Sequence, residues 1–346
     1  MPERVLRFFL YLFYPLTLLY RFLFFLDRLL KKENYELKDA VVISVGNLST
    51  GGTGKTPFIL YLIDFFDRHY PAYRSIVLSR GYGGKMSEQG MQVETFNSTE
   101  DCGDEPFLIK FNRPEAEVII GKKRYHAYRK FQKESSAAKV IFLDDGFQHH
   151  ELARNFDIVL IDSDKGLGNG FTIPLGHLRE PLSGLKRADM VIFTRCKPEN
   201  EGKRKELKKE IYRIKKELPI LESHLKAECL LNSKQEKHDL EELANKEIYA
   251  FSGIGNPYSF ERMLVQYMPA KVHFKHFLDH HSFSEKDIEN IIKESNGYHW
   301  IICTEKDFVK IKDFRIEGLE KIFYLKIHFE LEKEEQLLEQ FKCLAL

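Results

Sequence analysis

The chain has 346 residues, enough for about two domains that can each bury a core. Its 53 Lys and Arg stand against 52 Asp and Glu, so no global field recruits nucleic acid or an acidic partner. Five cysteines (Cys102, Cys196, Cys229, Cys303, Cys343) are odd in number and scattered without a C-x-x-C pair, which argues against a disulfide framework or a zinc ribbon and points to a reducing, cytosolic setting.

The first element is an N-terminal helix, residues 1–32, "MPERVLRFFLYLFYPLTLLYRFLFFLDRLLKK", with six basic and two acidic side chains in an aromatic and aliphatic run. Its apolar run is followed by "DRLLKKE" rather than by small residues, so it is expected to stay on the mature protein. Arg7, Tyr11, Tyr14, Thr17, Arg21 and Arg28 trace one narrow polar stripe, and Pro15 interrupts the middle. A charged residue at the bilayer centre costs roughly 2.5–3.5 kcal/mol on insertion scales, so an amphipathic helix lying in the membrane interface is expected ahead of a span or of a helix packed onto the protein itself.

Alternating strands and helices follow. Apolar, β-branched runs at 40–45, 75–79, 117–121, 139–145, 156–162 and 188–195 read as buried strands, with helical stretches at 55–69, 104–112 and 122–134 between several of them. This predicts a doubly wound α/β domain with a mainly parallel sheet over 33–218. A charged helix, "KPENEGKRKELKKEIYRIKKELP", leads into a smaller C-terminal α/β domain over 219–346.

"VVISVGNLSTGGTGKTP" is an apolar strand, a glycine-rich turn and a helix start, the wiring of a phosphate loop, with Ser49 where the first glycine of G-x-x-x-x-G-K-[ST] usually stands. Gly51, Gly52 and Gly54 let amides turn toward phosphates, Lys55 reaches the β and γ oxygens, and Thr56 is placed to ligate Mg²⁺. "VIFLDDGFQHH" ends a strand in Asp144 and Asp145, one of which is expected to hold the metal directly or through water. In "CGDEPFLIKF", Asp104 and Glu105 open a helix, either as a cap and a dipole-friendly acid or as a carboxylate that accepts the proton of an attacking hydroxyl. Arg179 and Glu180 in "PLGHLREPLSGL" are placed to meet phosphate oxygens and metal, or form a surface pair. His280 in "FLDHHSF" is positioned to assist Asp104 if the second domain folds over the first. The pairs His149-His150 and His280-His281 make poor zinc sites, because strand neighbours point to opposite faces.

In order along the chain stand "VGNLSTGGTGKTP", "SRGYGG", "GDEP", "GKKRYHA", "DDGFQH", "PLGHLREP", "FSGIGNP", "FLDHH" and "TEKD". With these motifs the chain resembles the tetraacyldisaccharide 4'-kinase family, the lipid A 4'-kinases of Gram-negative bacteria. The resemblance implies a membrane-associated P-loop kinase whose smaller C-terminal domain closes over the nucleotide. It implies ATP and Mg²⁺, and transfer of the γ-phosphate to the 4'-hydroxyl of an acylated glucosamine disaccharide 1-phosphate. The setting it implies is the cytoplasmic face of the inner membrane, with no nucleic acid and no obligate protein partner. It makes Ser49, Thr50, Gly51, Gly52, Thr53, Gly54, Lys55 and Thr56 the nucleotide loop, with Asn256 on the nucleotide side. Asp104 becomes the base with His280 as its dyad partner, and Lys55 acts in catalysis. Thr56, Asp144, Asp145 and Glu180 surround magnesium, Arg124, Gln148, His149 and Arg179 face substrate, and "TEKD" helps place the nucleotide. Two other readings compete: a regulatory GTPase or metallochaperone-type ATPase, against which "TEKD" and "TRCK" lack the [NT]-K-x-D spacing, and a non-enzymatic membrane scaffold, against which the intact Lys55, Thr56, Asp144 and Asp145 stand.

Overall fold

A computed structural model describes residues 3–30, 35–132 and 137–344, with side chains from residue 13 onward in the first stretch. Arg7 and Tyr11 of the polar stripe, and the end of the helix expected at 122–134, thus lie outside the described side chains or residues. The chain forms two compact units interleaved along the sequence: 1–79, 123–224 and 331–346 make the first, 80–122 and 225–330 the second. The insertion 80–122 therefore packs with residues 225–330, whereas contiguous blocks of 33–218 and 219–346 were expected.

The first unit is built on a parallel sheet in the order Ile220–Leu231, Met190–Thr194, Phe156–Asp162, Ala40–Asn47, Ala138–Asp144, Tyr73–Ser79. Every residue of Phe156–Asp162 is buried, as expected where both faces of a parallel sheet are covered. Ala40–Asn47 lies between Ala138–Asp144 and Phe156–Asp162, with Val45 opposite Asp144 and Asn47 opposite Leu160. The turn that leaves it opens at the carboxyl ends of the strands, where open α/β sheets gather their ligands.

Helix Lys55–His69 buries Phe58, Ile59, Leu62, Phe65 and Phe66. The C-terminal helix Glu334–Lys342 docks on it, with Phe341 5.8 Å from Phe65 and 5.5 Å from Phe66. Glu334 fastens the junction: it accepts from Arg68 at 3.0 Å and from the Tyr61 hydroxyl at 2.5 Å, and meets His69 at 3.1 Å.

The N-terminal helix runs Glu3–Leu30, about 42 Å at 1.5 Å per residue. Thr17 is buried and the Tyr20 hydroxyl donates to the Arg179 carbonyl at 2.7 Å, while Tyr14 meets Phe171 edge-on. Leu16, Leu19, Phe22, Leu23, Phe25 and Leu30 face outward, 48–70% exposed. Part of the polar stripe thus turns toward the protein and the apolar circumference toward the surroundings. Among the described residues no helix is long and apolar enough to cross a membrane.

In the second unit a parallel sheet runs Lys271–His276, Glu247–Ser252, Trp300–Thr304, Ile322–Leu331. The 117–121 run, expected among the strands of the mainly parallel sheet, forms Glu117–Ile120 and pairs antiparallel with Met91–Val93. A run buried on every residue does not reveal its partner's direction. Helix Asp104–Asn112 packs by Phe111 against Phe308 and Tyr324, and Lys326 donates to both Asn112 and Glu305.

Candidate functional site

The phosphate loop follows the Ala40–Asn47 strand, and its glycines meet a backbone demand: Gly51 (φ 94°) and Gly54 (φ 86°) are left-handed, the region that favours glycine. Ser49 and Thr53 are buried. The Thr50 amide donates to the His177 carbonyl at 2.8 Å. Most loop carbonyls are engaged as acceptors. Leu48 O accepts the Arg179 amide, Ser49 O the Asn47 side-chain amide, Gly52 O the Arg195 guanidinium, Thr53 O the Thr194 hydroxyl and Gly54 O the Phe58 amide.

Lys55 Nζ lies 3.4 Å from Asp145, and Arg179 Nη1 donates to both Asp145 oxygens at 2.9 and 2.7 Å. Burial opposes ionisation of Asp145, but Lys55 and Arg179 hold its carboxyl below the ordinary range. Asp145 has φ 49°, a strained value for a side chain with a Cβ, and one that recurs at functional sites.

Asp144 is buried, and its Oδ2 accepts the Ser79 hydroxyl at 2.8 Å. Thr56 is buried at the start of the helix that follows the strand paired with Asp144's own. A hydroxyl and a carboxylate are hard oxygen donors of the kind Mg²⁺ takes. Glu180, another acid expected there, is held in an ion pair. It is 1% exposed, accepts from Arg187 at 2.9 and 3.2 Å, and accepts from Gln148 Nε2 at 2.8 Å. Glu180, expected on the metal side, is thus ion-paired with Arg187. Gln148 Nε2 also donates to Asn47 O, and Gln148 Oε1 lies 3.5 Å from Arg179. Buried Arg124 donates to His149 Nδ1 at 3.1 Å and to the Asp144 carbonyl at 3.3 Å.

In the second unit Asp104 and His280 meet, 176 residues apart in sequence: Nδ1 lies 3.0 Å from Asp104 Oδ2. Because a carboxylate only accepts, Nδ1 carries the proton, and Lys306 Nζ, 3.5 Å from Nε2, faces the ring's lone pair. Lys310 Nζ stands 3.4 Å from the same Asp104 oxygen. Burial works against the charge on Asp104, yet His280, Lys310 and Lys306 together hold its carboxyl below the usual range. Gly103 precedes it at φ 90°, and a Cβ there would come within 2.6 Å of the Tyr82 carbonyl. His280 itself is left-handed (φ 58°), its amide donating to Gly253 O at 3.1 Å.

Lys306 and Lys310 were missed in the sequence. Their signal was present: four residues apart in one helix, they share a face. "TEKD" caps that helix. Thr304 Oγ1 accepts the Asp307 amide at 3.1 Å, and buried Asp307 accepts the Gly253 amide at 2.9 Å. Asn256, also in the second unit, precedes helix Pro257–Val265 and accepts the Ser259 hydroxyl on its carbonyl at 2.8 Å.

Comparison with known proteins gives concordant matches. The family described as LpxK, tetraacyldisaccharide-1-P 4'-kinase, matches residues 9–344. A tetraacyldisaccharide 4'-kinase of Leptospira biflexa is 36% identical over 352 residues, covering 95% of this chain and 94% of that one. One of Flavobacterium johnsoniae is 34% identical over 325 residues, covering 91% and 90%. Among solved structures, LpxK from Aquifex aeolicus, an "apo" form in complex with ATP, superposes with a TM-score of 0.74 at 29% identity, over 96% of this chain and 98% of that one.

Proposed function

Because the chain belongs to the tetraacyldisaccharide 4'-kinase family, we propose that its first unit holds the ATP phosphates through Lys55, Arg179 and the loop amides, and that Asp104 of its second unit is the base. The reaction is transfer of the γ-phosphate of ATP to the 4'-hydroxyl of tetraacyldisaccharide 1-phosphate, a step in making lipid A. Convergence of Lys55 and Arg179 on Asp145, beside a glycine-rich loop, supports this assignment. Two cations already sit where a polyphosphate needs neutralising, and Asp145 keeps them there until nucleotide arrives.

Phosphoryl transfer depends on positioning and charge neutralisation more than on covalent help from the protein. Asp104 is ionised at neutral pH and accepts the hydroxyl proton as the new O–P bond forms and the bond from the γ-phosphorus to the bridging oxygen breaks, releasing ADP. His280 orients that carboxylate through its Nδ1–H, and Lys306 and Lys310 keep it charged. Thr56 and Asp144 would hold Mg²⁺, which when bound neutralises β- and γ-phosphate oxygens. Arg124 and His149 brace the Asp144 strand end, and Asn256 completes the nucleotide side.

The exposed apolar residues between Leu16 and Leu30 suit the interface of the inner membrane's cytoplasmic leaflet, where this reading sets the first helix. A four-chain lipid leaves the bilayer only at a cost of about 0.8 kcal/mol per methylene, so the enzyme goes to it. Glycolipid phosphorylation from ATP, compared between wild type and Lys55→Ala, tests the whole reading. A loss of about 100-fold or more is expected, the scale for removing one donor aimed at developing charge. Undiminished transfer by Lys55→Ala refutes it. Removal of residues 1–30 should shift the protein from anionic vesicles to the supernatant with its ATP binding kept.

A further inference from the structure

The end of the Met190–Thr194 strand grips the phosphate loop from behind. Arg195 Nη1 donates to the Gly52 carbonyl at 3.0 Å, and Thr194 Oγ1 donates to the Thr53 carbonyl at 3.0 Å. The same Nη1 is paired with Asp162, the last residue of the neighbouring strand, which stands in register with Thr194. Asp162 is 2% exposed, and its other oxygen accepts the Asp164 amide at 2.9 Å and the Lys165 amide at 3.3 Å. The carboxylate is therefore fixed by its own turn before it fixes Arg195, whose φ of 57° bends the chain out of the strand at this point.

We propose that Arg195, held by Asp162, and Thr194 are positioning residues that aim the amides of Thr53 and Gly54 at the nucleotide phosphates. A trans peptide points its C=O and N–H to opposite sides. Tying back the carbonyls of Gly52 and Thr53 therefore commits the N–H groups of Thr53 and Gly54 to the other side of the loop. A glycine-rich loop left to itself samples both orientations, and an inward carbonyl repels a phosphate as strongly as an inward amide attracts it. Asp162 neutralises the guanidinium, so Arg195 acts on the loop rather than as a rival anion site. This assignment rests on the phosphate-loop reading above and adds to it the source of the loop's orientation.

Full-length Arg195→Ala, Thr194→Val and Thr194→Ser, compared with wild type, provide the test, with ATP, ADP and AMP titrated by calorimetry and turnover measured on the glycolipid. The Arg195→Ala variant is expected to weaken ATP and ADP about tenfold, the scale of one hydrogen bond to a charged group, and to leave AMP unchanged. KM for ATP should rise by a similar factor while KM for the glycolipid stays put. Thr194→Val should follow in the same direction by a smaller factor, and Thr194→Ser, which keeps the hydroxyl, should restore wild-type affinity. Unchanged ADP affinity in Arg195→Ala, a parallel loss of AMP, or a Thr194→Ser no better than Thr194→Val overturns the assignment. If Arg195→Ala does not fold, the two Thr194 variants decide. Wild type that binds no ATP would overturn the phosphate-loop reading itself, whereas wild type that binds ATP beside unaffected variants would overturn only the positioning role.

Discussion

The phosphate loop and the Asp104–His280 pair are built in opposite ways. The loop is one unbroken stretch whose shape is set by backbone: glycines at positive φ and carbonyls captured by neighbouring strands. The pair is assembled from three separate segments, the insertion bearing Asp104, the turn bearing His280 and the helix bearing Lys306 and Lys310, and its charge is set by side chains. His280 is 43% exposed on its side chain against 10% for Lys55. A site made of backbone is set by its glycines and by the groups that hold its carbonyls, and it presents two cations, Lys55 and Arg179. A site made of side chains is tuned by each charge around it.

Substitutions can break that contrast. In the second unit the largest effect belongs to Asp104→Ala. Turnover should fall by about 100-fold, the lower range for removing a general base, with ADP affinity retained, because the second unit's carboxylate has no part in the loop. Turnover within a few-fold of wild type would show that Asp104 is not the base. His280→Ala should cost less, about tenfold in kcat, and should carry a pH signature. Its hydrogen bond helps to hold the Asp104 carboxyl below the usual range against the opposing effect of burial. Without it the folded pKa rises, and the acid limb of the kcat/KM profile moves to higher pH. Lys306, Lys310, Glu105 and Asp279 are the other charged groups facing this pair, and Lys310→Met should move the limb in the same direction. An unmoved limb in both variants would contradict the tuning.

The smallest effect is at Glu334→Gln, away from both sites. Partial burial raises the Glu334 pKa, but hydrogen bonds from Arg68, Tyr61 and His69 outweigh it and bring the carboxyl down to about 2. A depressed folded pKa stabilises the protein fully above the unfolded value and loses that contribution as pH falls toward about 2. At neutral pH the variant should melt about 2 °C lower, the scale for a chain of this size, with kinetics unchanged. The gap between variant and wild type should narrow below the ordinary glutamate range, and a gap that widens there would show that the ion pair is not its source.

How far the sequence could be read differs between the same two regions. The strand, loop and helix around Lys55 were legible because contiguous residues carry both the conformation and the chemistry: Gly51 and Gly54 for the turn, Lys55 and Thr56 for the phosphate. The pairing of Asp104 with His280 was accessible through the family resemblance, whereas Lys306 and Lys310 lay unread within and beside "TEKD". The ion pair of Glu180 with Arg187, seven residues on, was not legible beside Arg179, its immediate neighbour.

The sequence alone determined the family, the phosphate loop, five strands of the parallel sheet (all but Ile220–Leu231) and the apolar character of the first helix, because each is a local pattern of residue types. Only the tertiary structure decided which segments share a unit, that the 117–120 strand runs antiparallel to 91–93, that Thr17 and Tyr20 turn inward, and that Arg195 holds Gly52. Those outcomes depend on burial and pairing between residues far apart in the chain. Local propensity carries no record of a partner 143 residues away.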